Sequence, residues 1–356
     1  MQFAFNGTVP DVLESFASGL RAALLERGYE ELDDGKKARL VLNFIDRADP
    51  RPFRRVAKST FVASIWAEST IPEDFLAHAY PVLVRALSNL AVCVVPGREA
   101  RFLTPEQGNY SVLHEGDDDT FLHAVAARLA PLAESTLVVD NIFTPDLEPE
   151  LWGGDEQTAD LRRAGERLDA LDLLPAPFPI EKILPARDLR HVMRLYSLGG
   201  LSYGNLSARK DEKRFWMSAS GVDKSKLETP GRDILLVSDY DEENGRIVLS
   251  VPLGVEPRRV SVDAIEHWMI YQQNPDVGAI LHVHAWVEGI DSTQLVFPCG
   301  SEELAVAVAD LVRRDTDPSH AIVGLRNHGI TAVGANLTEI LDRIEPKVLR
   351  QVPMSG

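Results

Sequence analysis

The sequence predicts an α/β protein built in two parts. Three features predict it: the chain length, an alternation of short β-rich runs with amphipathic stretches over the first 150 residues, and a proline-dense break near the middle. At 356 residues the chain exceeds the roughly 100 to 150 residues typical of one domain, so two are expected. The break is "LLPAPFPIEKILP", residues 173–185, with four prolines. Proline lacks an amide donor and restricts the residue before it, so this stretch reads as a connection. The expected division is an α/β domain over 1–150, a helical and proline-rich linker over 151–184, and a second domain over 185–356.

In the first part, "FAFNG", "ARLVLNFID", "VAKSTFVASIWAE", "LAVCVV" and "STLVVD" carry the β-branched and aromatic residues of strands. Between them, residues 10–27, 73–88 and 119–133 have helical periodicity, which gives the α/β alternation. The acidic "EGDDDT" at 115–120 reads as a solvated loop and helix start. Residues 155–174 turn helical. After the break, "ARDLRHVMRLYSLGG" reads as a helix closed by glycines, and strands follow around "GNLSAR", "FWMSASG" and "ILLVSDY". Helices are expected over 262–273 and 302–314 and from about Leu337, with "AIVGLRNHGITAVG" forming a hairpin.

The 37 basic residues against 54 acidic ones give a net charge of −17, which opposes attraction to nucleic-acid phosphates or anionic lipid. Neither Cys93 nor Cys299 belongs to a CxxC pair, so two buried thiols in a reducing cytoplasm are expected rather than a disulfide framework. The opening "MQFAFNGTVPDVLESF" has no basic lead into an apolar run, and no 18 consecutive apolar residues occur anywhere. Export and membrane insertion are not expected.

The chemistry concentrates in "AILHVHAWVEG", residues 279–289. Successive strand residues point to opposite faces, so His282 and His284 share one face while Leu281 and Val283 pack on the other. Two imidazoles so spaced can converge on one metal, or can be core histidines satisfied by hydrogen bonds. His328, before a glycine in "RNHGIT", could supply a third nitrogen. Three neutral imidazoles with an open fourth position describe a catalytic rather than a structural divalent site.

These residues belong to an ordered set. Gly204-Asn205-Leu206-Ser207, Ser218-Ala219-Ser220-Gly221, Ser261-Val262-Asp263, His282-Val283-His284 and Asn327-His328-Gly329 follow one another between about Pro185 and Ile344. In this the chain resembles the class II aldolase/adducin family. The resemblance implies a central, mainly antiparallel sheet flanked by helices. It further implies a divalent ion, usually zinc, on His282, His284 and His328, stabilising the enediolate formed from a sugar or sugar phosphate. The family's acid/base or metal-shell carboxylate falls on Asp263; without that frame, Asp263 reads as an N-terminal helix acid. The family's phosphate cradle falls on Asn205, Ser220, Gly221 and Ser261, which are also the residue types that tight turns recruit. A homo-oligomer, a tetramer in the family, is implied too.

The chain departs from the family pattern in four places. Asp263 stands where aldolases usually carry glutamate, a similarity to the ribulose-phosphate 4-epimerase branch. Val262 replaces a second serine, with Arg258 and Arg259 just upstream. Seventeen residues separate His284 from Glu302, and 28 follow His328, so a trimmed loop and no long closing tail are expected. The first 150 residues match nothing in the family. Glu266, one helical turn after Asp263, is a second candidate for the acid/base function and reads more simply as a solvated helix residue; His267 reads as a packed ring, Trp216 and Trp286 as core or pocket wall, and Glu302 and Glu303 as helix-start acids. The expected activity is a metal-dependent lyase of aldolase type, cleaving or forming a carbon–carbon bond. The alternatives are an epimerase, dehydratase or decarboxylase of the same superfamily, or an adducin-like scaffold without turnover.

Overall fold

The computed structural model describes residues 1–174, 180–195 and 203–355. The chain begins with β1 (Gln2–Asn6), α1 (Glu14–Glu26), β2 (Glu30–Glu31), β3 (Leu40–Phe44), β4 (Phe61–Ala67), α2 (Phe75–Arg85), β5 (Leu90–Val95), β6 (Glu99–Leu103), β7 (Asn109–Leu113) and α3 (Asp118–Glu134). These strands form one sheet in the order β2-β1-β3-β4-β5-β6-β7. It is parallel from β2 through β5 and antiparallel from β5 to β7. Strands β3 and β5 are buried at every residue, because helices cover both faces. Helices α1 and α3 pack on Leu42, Ile65 and Val92, and α2 packs on Trp66, Ala91 and Cys93. The acidic run caps a helix: Asp117 accepts a hydrogen bond from the Thr120 amide at the start of α3.

The chain continues through β8 (Asp140–Thr144), α4 (Glu156–Ala170), α5 (Ile180–Ile183), α6 (Ala186–Leu195), β9 (Asn205–Arg209), β10 (Phe215–Ser218), β11 (Ile234–Asp241) and β12 (Arg246–Ser250). It ends with α7 (Ala264–Gln273), β13 (Ala279–Val283), α8 (Glu302–Arg314), β14 (Ile322–Leu325), β15 (Gly329–Gly334) and α9 (Leu337–Ile344). The second sheet runs β14-β15-β13-β9-β10-β11-β12-β8. Every pairing in it is antiparallel except the parallel β12–β8 edge. Both expected architectures are therefore present: an α/β first part, then a mainly antiparallel sheet with helices packed against it.

Packing does not follow the expected divisions at 150 and 184. The strand expected over "STLVVD" starts at Asp140 and pairs with β12 of the second sheet. Helix α4, assigned to the linker, sends Leu161, Ala164 and Leu168 into the second sheet's core. The next segment turns back: Ile180, Leu184 and Val192 pack with α2, and Asp188 pairs with Arg85 at 2.7 Å. A local proline count cannot show which sheet a segment will join, because that choice is made by distant apolar surface. The glycines expected to close the helix after residue 195 lie outside the described residues. Among the described residues no helix is long and apolar enough to cross a membrane.

Candidate functional site

Strand β13 lies between β15 and β9, which places His282 opposite Thr331 on one side and Asn205 on the other. The three form a polar row across three strands. Helix α7 lies over this row, and Thr331 Oγ1 donates to Glu266 Oε1 at 2.6 Å. Asn205 Nδ2 donates to Asp263 Oδ2, also at 2.6 Å. Asp263 occupies the N-cap position of α7, yet its side chain makes no cap hydrogen bond. Its carboxyl turns to the site instead, which the reading as a plain helix acid does not explain.

His284 follows directly after β13, and His328 sits in the turn between β14 and β15. Asn327 adopts the left-handed conformation there, with φ of 59°, which asparagine tolerates better than most residues. Gly329 is required by proximity, since a Cβ at that position would lie 2.3 Å from the Val283 carbonyl oxygen. The "NHG" turn thus brings His328 against the end of β13. The ring centroids of His282, His284 and His328 lie 4.6 to 5.3 Å apart. One nitrogen from each ring falls within a set whose members are no more than 4.8 Å from one another.

This donor set fits a divalent ion. Tetrahedral nitrogen ligands at about 2.0–2.1 Å from zinc stand roughly 3.3 Å apart, and His284 Nε2 and His328 Nε2 are 3.1 Å apart. His282 Nδ1 lies 3.1 Å from the Ile330 carbonyl, so that nitrogen donates and Nε2 keeps its lone pair for the cavity. His282 Nε2 is buried with no hydrogen-bond partner. Burial, followed by the neighbouring rings, holds His284 and His328 well below the usual imidazole range. Burial also lowers His282, against the opposing pull of Asp263. The rings are therefore neutral near pH 7, which is the ligating form.

Glu266 is a correction to the sequence expectation. It is 2 % exposed rather than solvated, and burial, then Asp263, pushes its carboxyl up to about 8. No local pattern singles out Lys224, which is 4 % exposed and lowered by burial to about 8, with Asp263 acting in the opposite direction. His267 is packed as expected, with Nδ1 2.7 Å from Ser207 Oγ, which in turn lies 2.9 Å from Tyr271 OH. Trp216 is core, and its indole donates to Asp155. Glu303 accepts from the Thr136 amide beside the start of α8, as an acid at a helix start can.

Of the expected phosphate residues, Asn205 is held against Asp263 and Ser220 and Ser261 flank the bridge between Ala219 and Val260; Ser218 joins the two groups, its hydroxyl accepting from the Leu206 amide and its carbonyl from the Ser261 amide. Arg258 and Arg259 are exposed. The 28 residues after His328 do reach the site: Ser355 exchanges two hydrogen bonds with the Asn327 side chain, and Val352 and Met354 line a cavity with His328. Cys299 Sγ lies 3.8 Å from both ring nitrogens of His328.

Comparison with known proteins bears on this segment. Residues 188–294 match the family described as Class II Aldolase and Adducin N-terminal domain, a span that holds Asp263, His282 and His284 but not His328. A methylthioribulose-1-phosphate dehydratase of Leptospira biflexa is 38% identical over 102 residues, 28% of this chain and 43% of that protein. One from Xanthomonas campestris pv. campestris is 34% identical over 88 residues, 25% of this chain and 35% of that protein. The chain thus spans less than half the length of these relatives. The L-fuculose-1-phosphate aldolase of Thermus thermophilus aligns over 53% of this chain and 89% of its own at 23% identity. Its TM-score is 0.34, a level at which the likeness carries no argument. The family match and these relatives therefore bear on part of the chain, residues 188–294 being the segment similar to the class II aldolase and adducin family.

Proposed function

We propose that this protein is a divalent-metal-dependent lyase acting on a sugar phosphate, with loss of water as its reaction. The observation that carries the reading is the neutral three-histidine set beside Asp263, a buried carboxyl with one oxygen unpartnered. Its support also includes the dehydratase names of relatives that are 34–38% identical to this chain over 88–102 residues. A bound ion, most simply zinc, would supply Lewis-acid stabilisation of negative charge developing on adjacent substrate oxygens. His282, His284 and His328 would hold it, with the Ile330 carbonyl fixing the His282 tautomer. Asp263 is the base. Asn205 holds Oδ2, which leaves Oδ1 to take a proton from the carbon next to the substrate carbonyl. Ser220, Gly221 and Ser261 are the residues for the phosphate. In this reading the protein works in the cytoplasm as a homo-oligomer, with Cys93 and Cys299 as free thiols.

The test begins with elemental analysis of purified protein, followed by incubation with a panel of ketose 1-phosphates and NMR of the products. The expected result is about one divalent ion per chain and a dehydrated carbonyl product. Release of an aldehyde would instead assign aldol cleavage, the reaction placed first from sequence. An absence of metal would remove the mechanism altogether.

A further inference from the structure

The first half of the chain reaches the histidine site through the connection between β6 and β7. Residues 104–108 dock on the turn that carries His328. A Cβ added at Gly108 would stand 2.8 Å from the Asn327 carbonyl oxygen, so only glycine allows this approach. The connection is held in shape: Thr104 Oγ1 accepts from the Gly108 amide at 3.0 Å, and Tyr80 OH donates to the Pro105 carbonyl at 2.9 Å. Gln107 is buried in the left-handed conformation, with φ of 72°. Between them lies Glu106, whose carboxyl hydrogen-bonds to Thr104 and Cys299.

Glu106 and His328 line the same cavity of about 310 Å³. On its other side Glu106 joins Cys299 in the wall of a second cavity, of about 660 Å³. The smaller volume is already at the low end of small-molecule sites. Glu106 oxygens are not in the set of ligating atoms within 4.8 Å of one another, which contains the three histidines alone. Glu106 and His328 thus come from different sheets to the wall of one cavity, and Cys299 links them, hydrogen-bonded to Glu106 and 3.8 Å from the His328 ring nitrogens.

We propose that Glu106, supplied by the first sheet, is a catalytic residue of this site and donates the proton needed by the departing hydroxyl group. The proposal rests on the dehydratase reading, because elimination needs two proton transfers and Asp263 performs only the first. Asp263 takes a proton from the carbon beside the carbonyl. The carbon–oxygen bond one carbon further then breaks, its electron pair leaves with oxygen, and that oxygen takes the Glu106 proton and departs as water. The electrons left by the first proton close a carbon–carbon double bond. Asp263 ends protonated and Glu106 ends as carboxylate, and proton exchange with solvent restores both.

The test compares full-length wild type, Glu106→Gln and Glu106→Asp, each loaded with zinc. Three quantities are read: zinc affinity by competition with a chromogenic chelator, turnover of the ketose phosphate, and deuterium uptake from D2O into unreacted substrate. Glu106→Gln should bind zinc within about threefold of wild type, lose roughly 10²-fold or more in kcat with little change in KM, and still incorporate deuterium. Glu106→Asp should recover part of the turnover. Unchanged turnover in Glu106→Gln would overturn the proposal while leaving the lyase reading intact. A zinc affinity reduced tenfold or more would make Glu106 a structural or ligating group and overturn it too. Loss of deuterium uptake together with turnover would assign Glu106 to the first step rather than the second. A wild type that turns over no ketose phosphate would remove the lyase reading, and the proton-donor role with it.

Discussion

Replacing Lys224 with methionine should stabilise the fold at neutral pH. The lysine lies on a 3-10 turn, 4 % exposed, where α4 packs at Gly165 against its carbonyl. Burial lowers its ammonium from 10.5 to about 8, even with Asp263 and Asp223 pulling the other way. At about 1.4 kcal/mol per pH unit, that fall corresponds to roughly 3 kcal/mol of differential cost between the charged and neutral forms. A folded pKa depressed below the unfolded one contributes stability above pH 10.5 that is lost as pH falls through 8. At pH 7 the folded state therefore carries the whole cost. Methionine has similar length and no charge, so Lys224→Met should gain up to about 3 kcal/mol at pH 7, and this gain should shrink by roughly 2 kcal/mol at pH 10. Urea unfolding of both proteins at the two pH values, with chelator present, measures the difference. An advantage equal at pH 7 and pH 10, or a variant less stable at pH 7, would refute the reasoning.

Three other substitutions probe the histidine set, the Asp263 carboxyl and the polar row beneath α7. His328→Ala should lower zinc affinity by about 10² to 10⁴-fold, taking a zinc free energy of about 10–16 kcal/mol as shared by three protein ligands; competition with a chelator reads this directly. Asp263→Asn should reduce kcat by roughly 10²-fold or more and abolish deuterium uptake into substrate, with unfolding free energy changed by no more than about 1 kcal/mol. Thr331→Val removes the hydroxyl that donates to Glu266 Oε1 at 2.6 Å. It leaves a buried carboxyl without that partner, and urea titration should show a loss of about 1–3 kcal/mol.

The legible parts of the site were those written in short local runs. Two histidines at a spacing of two on a β-rich run, and a histidine before glycine in a hairpin turn, carry their geometry in a handful of residues, and the structure places all three rings together. Asp263 was legible only through its motif, because its carboxyl behaves unlike a helix cap. Glu266 was misread for the same physical reason that makes it interesting. Polarity on a helix normally marks the solvent face, but α7 buries Glu266 and His267 along with Ala264, Ile265 and Trp268. Lys224 and Glu106 had no local signal at all. Glu106 is a lone charge in its turn and Lys224 one of three neighbouring charges with Asp223 and Lys226, and only the packing of a distant element determines what each faces. The hairpin β6–β7 that presents Glu106 was missed, although its burial alternates along each strand as an edge pair should.

The central strand tolerates its imidazoles because the chain satisfies the polar row only in part. Asn205 reaches Asp263, Thr331 reaches Glu266, and His282 reaches the Ile330 carbonyl. Yet Asn205 Oδ1, Asp263 Oδ1, Glu266 Oε2, His267 Nε2, His282 Nε2 and His284 Nδ1 are all buried with no protein hydrogen-bond partner. Such groups cost on the order of 1–3 kcal/mol each, so a cluster of them opposes folding by an amount comparable with the 5–15 kcal/mol stability of a whole domain. Scattered orphans would be defects of packing. Concentrated on β9, β13 and the first turn of α7, they mark surface shaped for something other than its own chain. Three of the six are on residues of the row itself or of its ligand set, and two are carboxylate oxygens, a mixture of nitrogen lone pairs and acids that suits a cation with a proton-exchanging substrate better than hydrocarbon. The second sheet alone does not enclose that surface. Loop 104–108 from the first sheet and the segment around Ser355 both close on Asn327, so each half of the chain contributes contacts to the turn that carries His328.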